Sequence, residues 1–501
     1  MQTHGDSDRP LIVALDIGTS SVRALLYDAL GRPVPGARAS QPTPLATTAD
    51  GGAEVDPELL VSAAVECAAA VERQAGGRAG QIAGVAVATF WHSVLGVDSS
   101  GRPLTPIYTW ADTRAAHAVP RLRRILDEQA VHARTGCHFH SSYWPAKLVW
   151  LRRQQPRLFG AVKRWLSPGE YLFARLFGEP LCSLSMASGT GLFDQNRLDW
   201  DDEVLQALAV ERGQLGPLVD LDSPATGLRP SWREAMPHLA RVPWFPAVGD
   251  GACNNVGSGC VDLERVALMV GTSGAMRVLF AAARAEVPWG LWYYRVDRRR
   301  FLLGGALSNG GNLYAWLQQT LRLEKNPALE AELAAQQPDG HGLTVLPFLA
   351  GERNPGYARG ATAAISGLRW HTRPVEIMRA GLEAVAYRFA SIYERLAPLL
   401  PPQAHIIGSG NALLLSPAWI QIMADVLGRR IVTTSEGEAS SRGAVLLAAE
   451  VLGLLTDLRS AAPEFGAAYD PDPARHECYM GGLARHRRLY RKLLGRRSIA
   501  L

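Results

Sequence analysis

Lysine is scarce: the 501 residues hold only four, Lys147, Lys163, Lys325 and Lys492, and none follows a glycine. The G-x-x-x-x-G-K-[ST] phosphate loop, which hands a lysine to the phosphates, is therefore excluded. The glycine pairs Gly249/Gly251, Gly257/Gly259 and Gly408/Gly410 lack the third glycine of G-x-G-x-x-G, which removes the dinucleotide-binding fingerprint. Neither an H-E-x-x-H zinc helix nor a G-x-S-x-G serine elbow occurs. Cysteine is also sparse. The six residues Cys67, Cys137, Cys182, Cys253, Cys260 and Cys478 show no paired ligand spacing and no dense framework, so they read mostly as small buried hydrophobes in a reducing compartment. Charge of one sign is missing too: 52 basic against 47 acidic residues leave +5, too little to imply a nucleic-acid or membrane-surface partner. The longest charge-free apolar stretch, Ala79 to Val97, is broken by Gln81, Thr89, His92 and Ser93 and reads as a strand region rather than a membrane span. Asp6 and Asp8 stand where a signal peptide would start basic, so a cytoplasmic location is expected.

What is present is a globular composition, 47% hydrophobic and 20% charged, long enough for two large domains or three ordinary ones. Two segments echo one another across half the chain. Leu11 to Asp28 reads LIVALDIGTSSVRALLYD and Val266 to Phe280 reads VALMVGTSGAMRVLF. Each is an apolar strand, a Gly-Thr-Ser turn and a second apolar strand with an arginine. Both read as β-hairpins whose turns offer backbone N–H groups and two hydroxyls, donors that suit phosphate oxygens without lysine. A common turn recurring by chance is the plainer reading; the matched flanking strands favour two related halves facing one another. Between the echoes, Asp56-Pro57 starts a helix carrying Leu60, Ala64, Cys67 and Val71 on one face, and Ile82 to Ala88 follows as a buried strand. Later, Met378, Leu382, Val385, Phe389, Ile392 and Leu396 step at helical spacing, and Ala404 to Ile407 reads as a strand running into Gly408-Ser409-Gly410. The chain is mixed α/β. The loop Pro243-Trp244-Phe245-Pro246 is the expected boundary, giving domains over 9–246 and 247–501 with a cleft between them.

Five motifs in order carry a resemblance: Asp16-Ile17-Gly18-Thr19-Ser20-Ser21 with Arg23; Trp110-Ala111-Asp112-Thr113-Arg114; Gly249-Asp250-Gly251 leading to Asn255 and Gly257; Gly271-Thr272-Ser273; and Gly408-Ser409-Gly410 before Trp419 and Gln421. Together the chain resembles the FGGY carbohydrate kinases, within the actin, hexokinase and heat-shock ATPase class. The resemblance implies two ribonuclease-H-like (actin/hexokinase-type ATPase) α/β domains flanking a central cleft. It implies ATP and Mg2+ as cofactors, phosphorylation of a sugar or polyol hydroxyl, and Asp250 as the general base. It implies a small-molecule sugar or sugar-acid partner and leaves a homodimer open.

The residue chemistry agrees with that implication. Phosphoryl transfer needs the triphosphate held, its charge offset, and a hydroxyl oriented in line. The first turn, Gly18, Thr19 and Ser20, and the second, Gly271, Thr272 and Ser273, can hold phosphates, with Arg23 as a cation. Asp16, ending a buried strand, can hold a water of a magnesium ion, or simply cap its turn. Gly408, Ser409 and Gly410 permit close approach of the adenine. For the sugar, Trp91 can stack on a ring face, His92 can donate to a hydroxyl, and Ser93 follows them. Trp91 departs from the Met-His pair of the family's pentulose and gluconate kinases. Trp110 adjoins Asp112 and Arg114, which can serve neighbouring hydroxyls or pair with one another. His92-Ser93-Val94, the Trp-Ala-Asp-x-Arg segment and Trp144 to Leu151 look most like the gluconate kinases, so gluconate is the first expected substrate, with pentuloses and polyols next. A substrate carboxylate would want a cation, for which Arg114, His138, His140 and Lys147 are candidates. A non-catalytic sugar sensor or an actin-like assembly protein remains the alternative from another class.

Overall fold

The computed structural model describes residues 9–358 and 360–495. Asp6, Asp8 and the end of the basic stretch Arg485 to Arg497 lie outside them. Two twisted sheets are built on one plan. The first holds β1 (Leu11–Ile17), β2 (Ser21–Asp28), β3 (Pro33–Pro42), β4 (Ile82–Thr89) and β5 (Val248–Gly249) in the order β3-β2-β1-β4-β5. The second contains β6 (Arg265–Val270), β7 (Gly274–Ala281), β8 (Trp292–Arg295), β9 (Arg300–Leu307), β10 (His405–Ser409), β11 (Ile431–Thr434) and β12 (Phe465–Tyr469). Its order is β8-β9-β7-β6-β10-β11-β12. In each sheet three antiparallel strands are followed by two that join in parallel, so β9-β7-β6-β10-β11 repeats the first sheet's order. The internal echo in the sequence is thus an echo of whole sheets.

Local chemistry explains the elements. Asp56 accepts from the amides of Glu58 and Leu59 and caps α1 (Pro57–Ala75), whose proline sits where no amide partner is needed. The buried strands β1 and β4 carry almost unbroken apolar runs, as strands covered on both faces do. An inserted lobe around α2 (Trp144–Gln154) has its own core, including Tyr108, Trp144, Leu148 and Trp165. Helix α3 (Asp250–Gly257) follows β5 directly, so the first sheet takes its last strand from beyond residue 246. Helices α4 (Pro374–Leu396), α5 (Pro417–Leu427), α6 (Ala439–Val451) and α7 (Pro473–Leu494) complete the second half.

One helix crosses over. Ala444, Val445, Leu446 and Leu447 of α6 belong to the same core as β1 and β4, although their chain comes from the second half. There α6 lies on α3. A methyl group on Gly257 would overlap the Ala439 carbonyl, and one on Gly443 would overlap that of Cys253. The absence of side chains at these two positions is what lets the helices touch. All six cysteines are unpaired, five of them buried, and no described helix is long and apolar enough to cross a membrane.

Candidate functional site

Sheet register assembles the site. Asp16 on β1 lies opposite Arg23 on β2. Ile17 pairs with Thr89 at the end of β4, and Gly249 at the end of β5 pairs with the same Thr89. The Gly18 turn, the Trp91-His92 segment and Asp250 therefore emerge side by side from the carboxyl ends of adjacent strands, where open α/β sheets present ligand groups.

Asp250 is half-buried at the first position of α3, and its carboxylate accepts from the Gly251 amide at 2.7 Å. Burial raises its pKa, opposed by the nearby guanidinium groups of Arg277 and Arg353. Asp16 is 6% exposed, and burial pushes its carboxyl up to about 6; Arg23 opposes this, while Asp250 and Glu438 add to it. Arg23 bonds Glu438 at 2.8 Å and stands 3.8 Å from Asp16, tying the first hairpin to the second half. Three carboxylates thus share one electrostatic neighbourhood. Among them the Asp16 carboxylate, at the end of β1 beside the first turn, is a hard oxygen donor of the kind that suits a magnesium ion keeping most of its water.

In the first turn the Gly18 amide closes onto the Ser21 carbonyl at 2.9 Å. The Thr19 hydroxyl accepts from the Trp110 indole at 3.1 Å. Trp110 also donates its backbone amide to Ser93 Oγ at 3.1 Å, so it links the sugar candidates to the phosphate candidates. The second turn is one residue tighter, Gly271 N–H to Ser273 carbonyl at 2.9 Å, and its Gly271 and Thr272 carbonyls accept from the amides of Gly311 and Asn312. Ser409 on β10 pairs beside Met269 on β6, which sets Gly410 against this turn. Gly410 has φ +91°, and a side chain there would strike Val270.

Residues 11–257 match the N-terminal domain of the FGGY family of carbohydrate kinases, and residues 266–451 match its C-terminal domain. The chain belongs to this family. It is an ATP-dependent FGGY sugar kinase, an enzyme that phosphorylates a hydroxyl group. It is 26% identical over 473 residues to a gluconokinase of Bacillus subtilis (strain 168), covering 92% of this chain and 91% of that one. It is 29% identical over 500 residues to a xylulose kinase of Escherichia coli (strain K12), covering 97% and 99%. The crystal structure of a gluconate kinase from Lactobacillus acidophilus superposes with a TM-score of 0.90 at 27% identity, covering 97% of this chain and 99% of that one. A ligand-bound xylulose kinase from the same organism gives 0.90 at 27% identity, covering 97% and 98%.

Several sequence expectations for the sugar side of this FGGY kinase need correction. Trp91 offers no free stacking face: it is 5% exposed, donates to the Ser185 carbonyl at 2.9 Å, and packs where a side chain on Gly249 or Gly251 would collide with its ring. It props the Asp250 turn from beneath. His92 has a left-handed backbone, φ 68°, uncommon outside glycine and costly unless the surroundings hold it. Its Nδ1 lies 2.6 Å from the Gly189 carbonyl, and burial lowers its pKa to about 3. The neutral ring therefore carries its proton on Nδ1 and presents Nε2 as an acceptor, not a donor. Asp112 and Arg114 pair with one another. Arg114 pairs with Asp112 and Glu54 and stacks on Tyr108 and Trp150, while Asp112 is 1% exposed.

Each of the four candidate cations already has partners within the protein. Arg114 is committed to that pair. Lys147 is buried and bonds the carbonyls of His92 and Ser142, and burial brings its pKa down to about 7. Burial brings the His140 ring down to about 3 and lowers His138 too, so neither is charged at neutral pH. The structure instead brings in groups that the sequence did not single out. Arg277 bonds the Gly251 carbonyl at 2.6 Å, and Tyr143 and Tyr294 share a hydrogen bond at 2.6 Å beside His92. Arg353 and Glu438 join from the second half. Arg277 was visible as the arginine of the second echo; the others have no motif around them.

Proposed function

We propose that this enzyme transfers the γ-phosphoryl group of magnesium-bound ATP to a hydroxyl of a sugar acid, D-gluconate giving 6-phosphogluconate. The placement of Asp250 carries the reading: a carboxylate at a strand end, flanked by two glycines, beside the first phosphate turn and under the charges of Arg277 and Arg353. Asp250 accepts the hydroxyl proton as the oxygen attacks the γ-phosphorus and the bond to the β,γ-bridging oxygen breaks, releasing ADP. The turns of Thr19-Ser20 and Thr272-Ser273 hold phosphate oxygens, with Gly408, Ser409 and Gly410 under the adenine. Asp16 would hold a hydrated magnesium ion, which would supply charge to offset that of the phosphates. Arg23, engaged by Glu438, holds that carboxylate network in place. His92 Nε2 orients the sugar; Ser93, expected beside it, is fully buried with its hydroxyl between the Trp91 carbonyl and the Trp110 amide and fixes the segment instead, and Trp110 joins the sugar wall to the Thr19 turn. The unpaired, mostly buried cysteines support a reducing, cytoplasmic setting.

Gluconate is favoured by the gluconokinase relatives and by the His92-Ser93-Val94 segment. A pentulose is the second reading, because a xylulose kinase superposes equally well. A coupled ADP-release assay over gluconate, xylulose, ribulose and glycerol decides between them. Gluconate should give the highest kcat/KM; turnover of xylulose or glycerol far above gluconate would sink the gluconate assignment, and sugar binding without ADP release would sink catalysis altogether.

A further inference from the structure

We infer that Arg277 is a positioning residue for the general base: from the second sheet it grips the peptide that follows Asp250 and so fixes where that carboxylate points. The inference deepens the reading of Asp250 as proton acceptor and rests on it. Arg277 lies on β7, between Ala267 of β6 and Gly304 of β9. Its strand neighbours Met276 and Val278 belong to the core of the second half, and the alternation of a strand turns Arg277 to the opposite face. Leu279, two residues on, packs from that face into the core of the first half. Gly304 leaves room for the long arginine stem, since a methyl group there would come within 2.8 Å of Arg277 Cγ. The guanidinium thus reaches from the second sheet to the first turn of α3.

There it meets a single residue. Arg277 Nη1 donates to the Gly251 carbonyl at 2.6 Å, while the Gly251 amide donates to the Asp250 carboxylate at 2.7 Å. One end of Gly251 is therefore held by Arg277, and the other end holds the base. A methyl group on Gly251 would lie 2.8 Å from Arg277 Nη1 and 2.9 Å from Trp91 Cζ3, so guanidinium and indole both crowd this residue and leave it little freedom. The carbonyl of Asp250 itself accepts from Ser440 Oγ at 3.4 Å, a second contact from the other half on the adjoining peptide. Arg277 is 4% exposed and makes no ion pair with the described residues, and its Nε is buried without a partner. A guanidinium kept from water without a carboxylate against it is expensive, and an apolar side chain would pack this face at less cost. What the arginine supplies in return is its hold on the Gly251 peptide. Its positive charge also opposes the rise that burial causes in Asp250.

The test uses purified full-length enzyme with ATP, magnesium and gluconate, or whichever of xylulose, ribulose and glycerol turns over faster. A reacting group displaced by about 1 Å can cost about 10²-fold in rate, and a residue that aims the base without touching bound substrate acts on kcat rather than on KM. Arg277→Met should therefore lower kcat about 10- to 100-fold and leave the KM values for sugar and ATP within about threefold. It should also move the acid limb of kcat/KM to higher pH, because the Asp250 carboxylate loses the positive charge that opposed its burial. Arg277→Lys, which keeps the charge, should restore the limb and part of kcat. The melting shift on adding ATP checks that each variant is folded; if Arg277→Met does not fold, Arg277→Gln takes its place and the shifted limb is the deciding result. A parent-like kcat, a loss expressed mainly in KM, or a lowered kcat with an unmoved acid limb each overturns the inference, the last leaving Arg277 a packing role alone. Near-normal turnover by Asp250→Asn overturns the base assignment itself, and that arm needs no Arg277 variant.

Discussion

Asp250 is half-buried and Asp16 buried, and each carboxylate has a measurable consequence. Asp250→Asn keeps the shape and removes the proton acceptor. It should lower kcat about 10²–10⁴-fold while ATP binding, read as a melting shift, survives; near-normal turnover would remove Asp250 from the chemistry. For Asp16, the folded carboxyl titrates near 6, above its unfolded value, so ionisation at higher pH costs the folded state. Asp16→Asn should therefore stabilise the magnesium-free protein at pH 8 by up to about 3 kcal/mol. That gain should shrink as pH falls through 6 and vanish below the unfolded pKa. The same variant should lose activity. In the parent enzyme the acid limb of kcat/KM should lie above the ordinary carboxylate range, because burial raises the Asp250 carboxyl; an acid limb at or below pH 4 would contradict this. At this scale the sequence was readable where a residue sits in a turn motif, as with Asp16, Thr19 and Asp250. It was silent on Glu438, because nothing local marks a side chain whose role comes from a contact made across hundreds of residues.

The element that fixes Asp250 is the junction of β5 with α3, and Trp91 fills the space beneath it. Gly249→Ala should distort that junction, since its methyl would occupy the Trp91 ring position; a cost of about 1–3 kcal/mol is typical of such overpacking. Gly249→Ala with Trp91→Phe should recover part of the lost melting temperature, and no recovery would separate the two residues. Hairpins, capped helices and buried strands were legible because each follows from neighbouring residues: Asp56-Pro57 begins α1, and the two Gly-Thr-Ser turns close as expected. What could not be read was which polar groups remain available to a ligand. Asp112 and Arg114 look like a recognition pair in sequence, and only the approach of Glu54, Tyr108 and Trp150 shows them to be a structural ion pair. Trp91 likewise looks like a platform until the bare faces of Gly249 and Gly251 are found to be packed against it.

Across the whole molecule, the repeated Gly-Thr-Ser hairpin correctly announced two halves of like construction, and the family motifs supplied the cleft between them. The return of α6 into the first core had no signature, because an apolar helix gives no hint of which sheet it covers. That crossing makes its own prediction. Gly443→Ala forces the α6 backbone away from Cys253 and should lower the melting temperature more than an alanine placed at Gly437, which has nothing near it; equal effects would show that the close approach is dispensable.

Where Gly257 and Gly443 meet, main chain bears on main chain with no interlocking teeth. Any larger residue at either position would wedge the two helices apart and loosen the core they share with the first sheet.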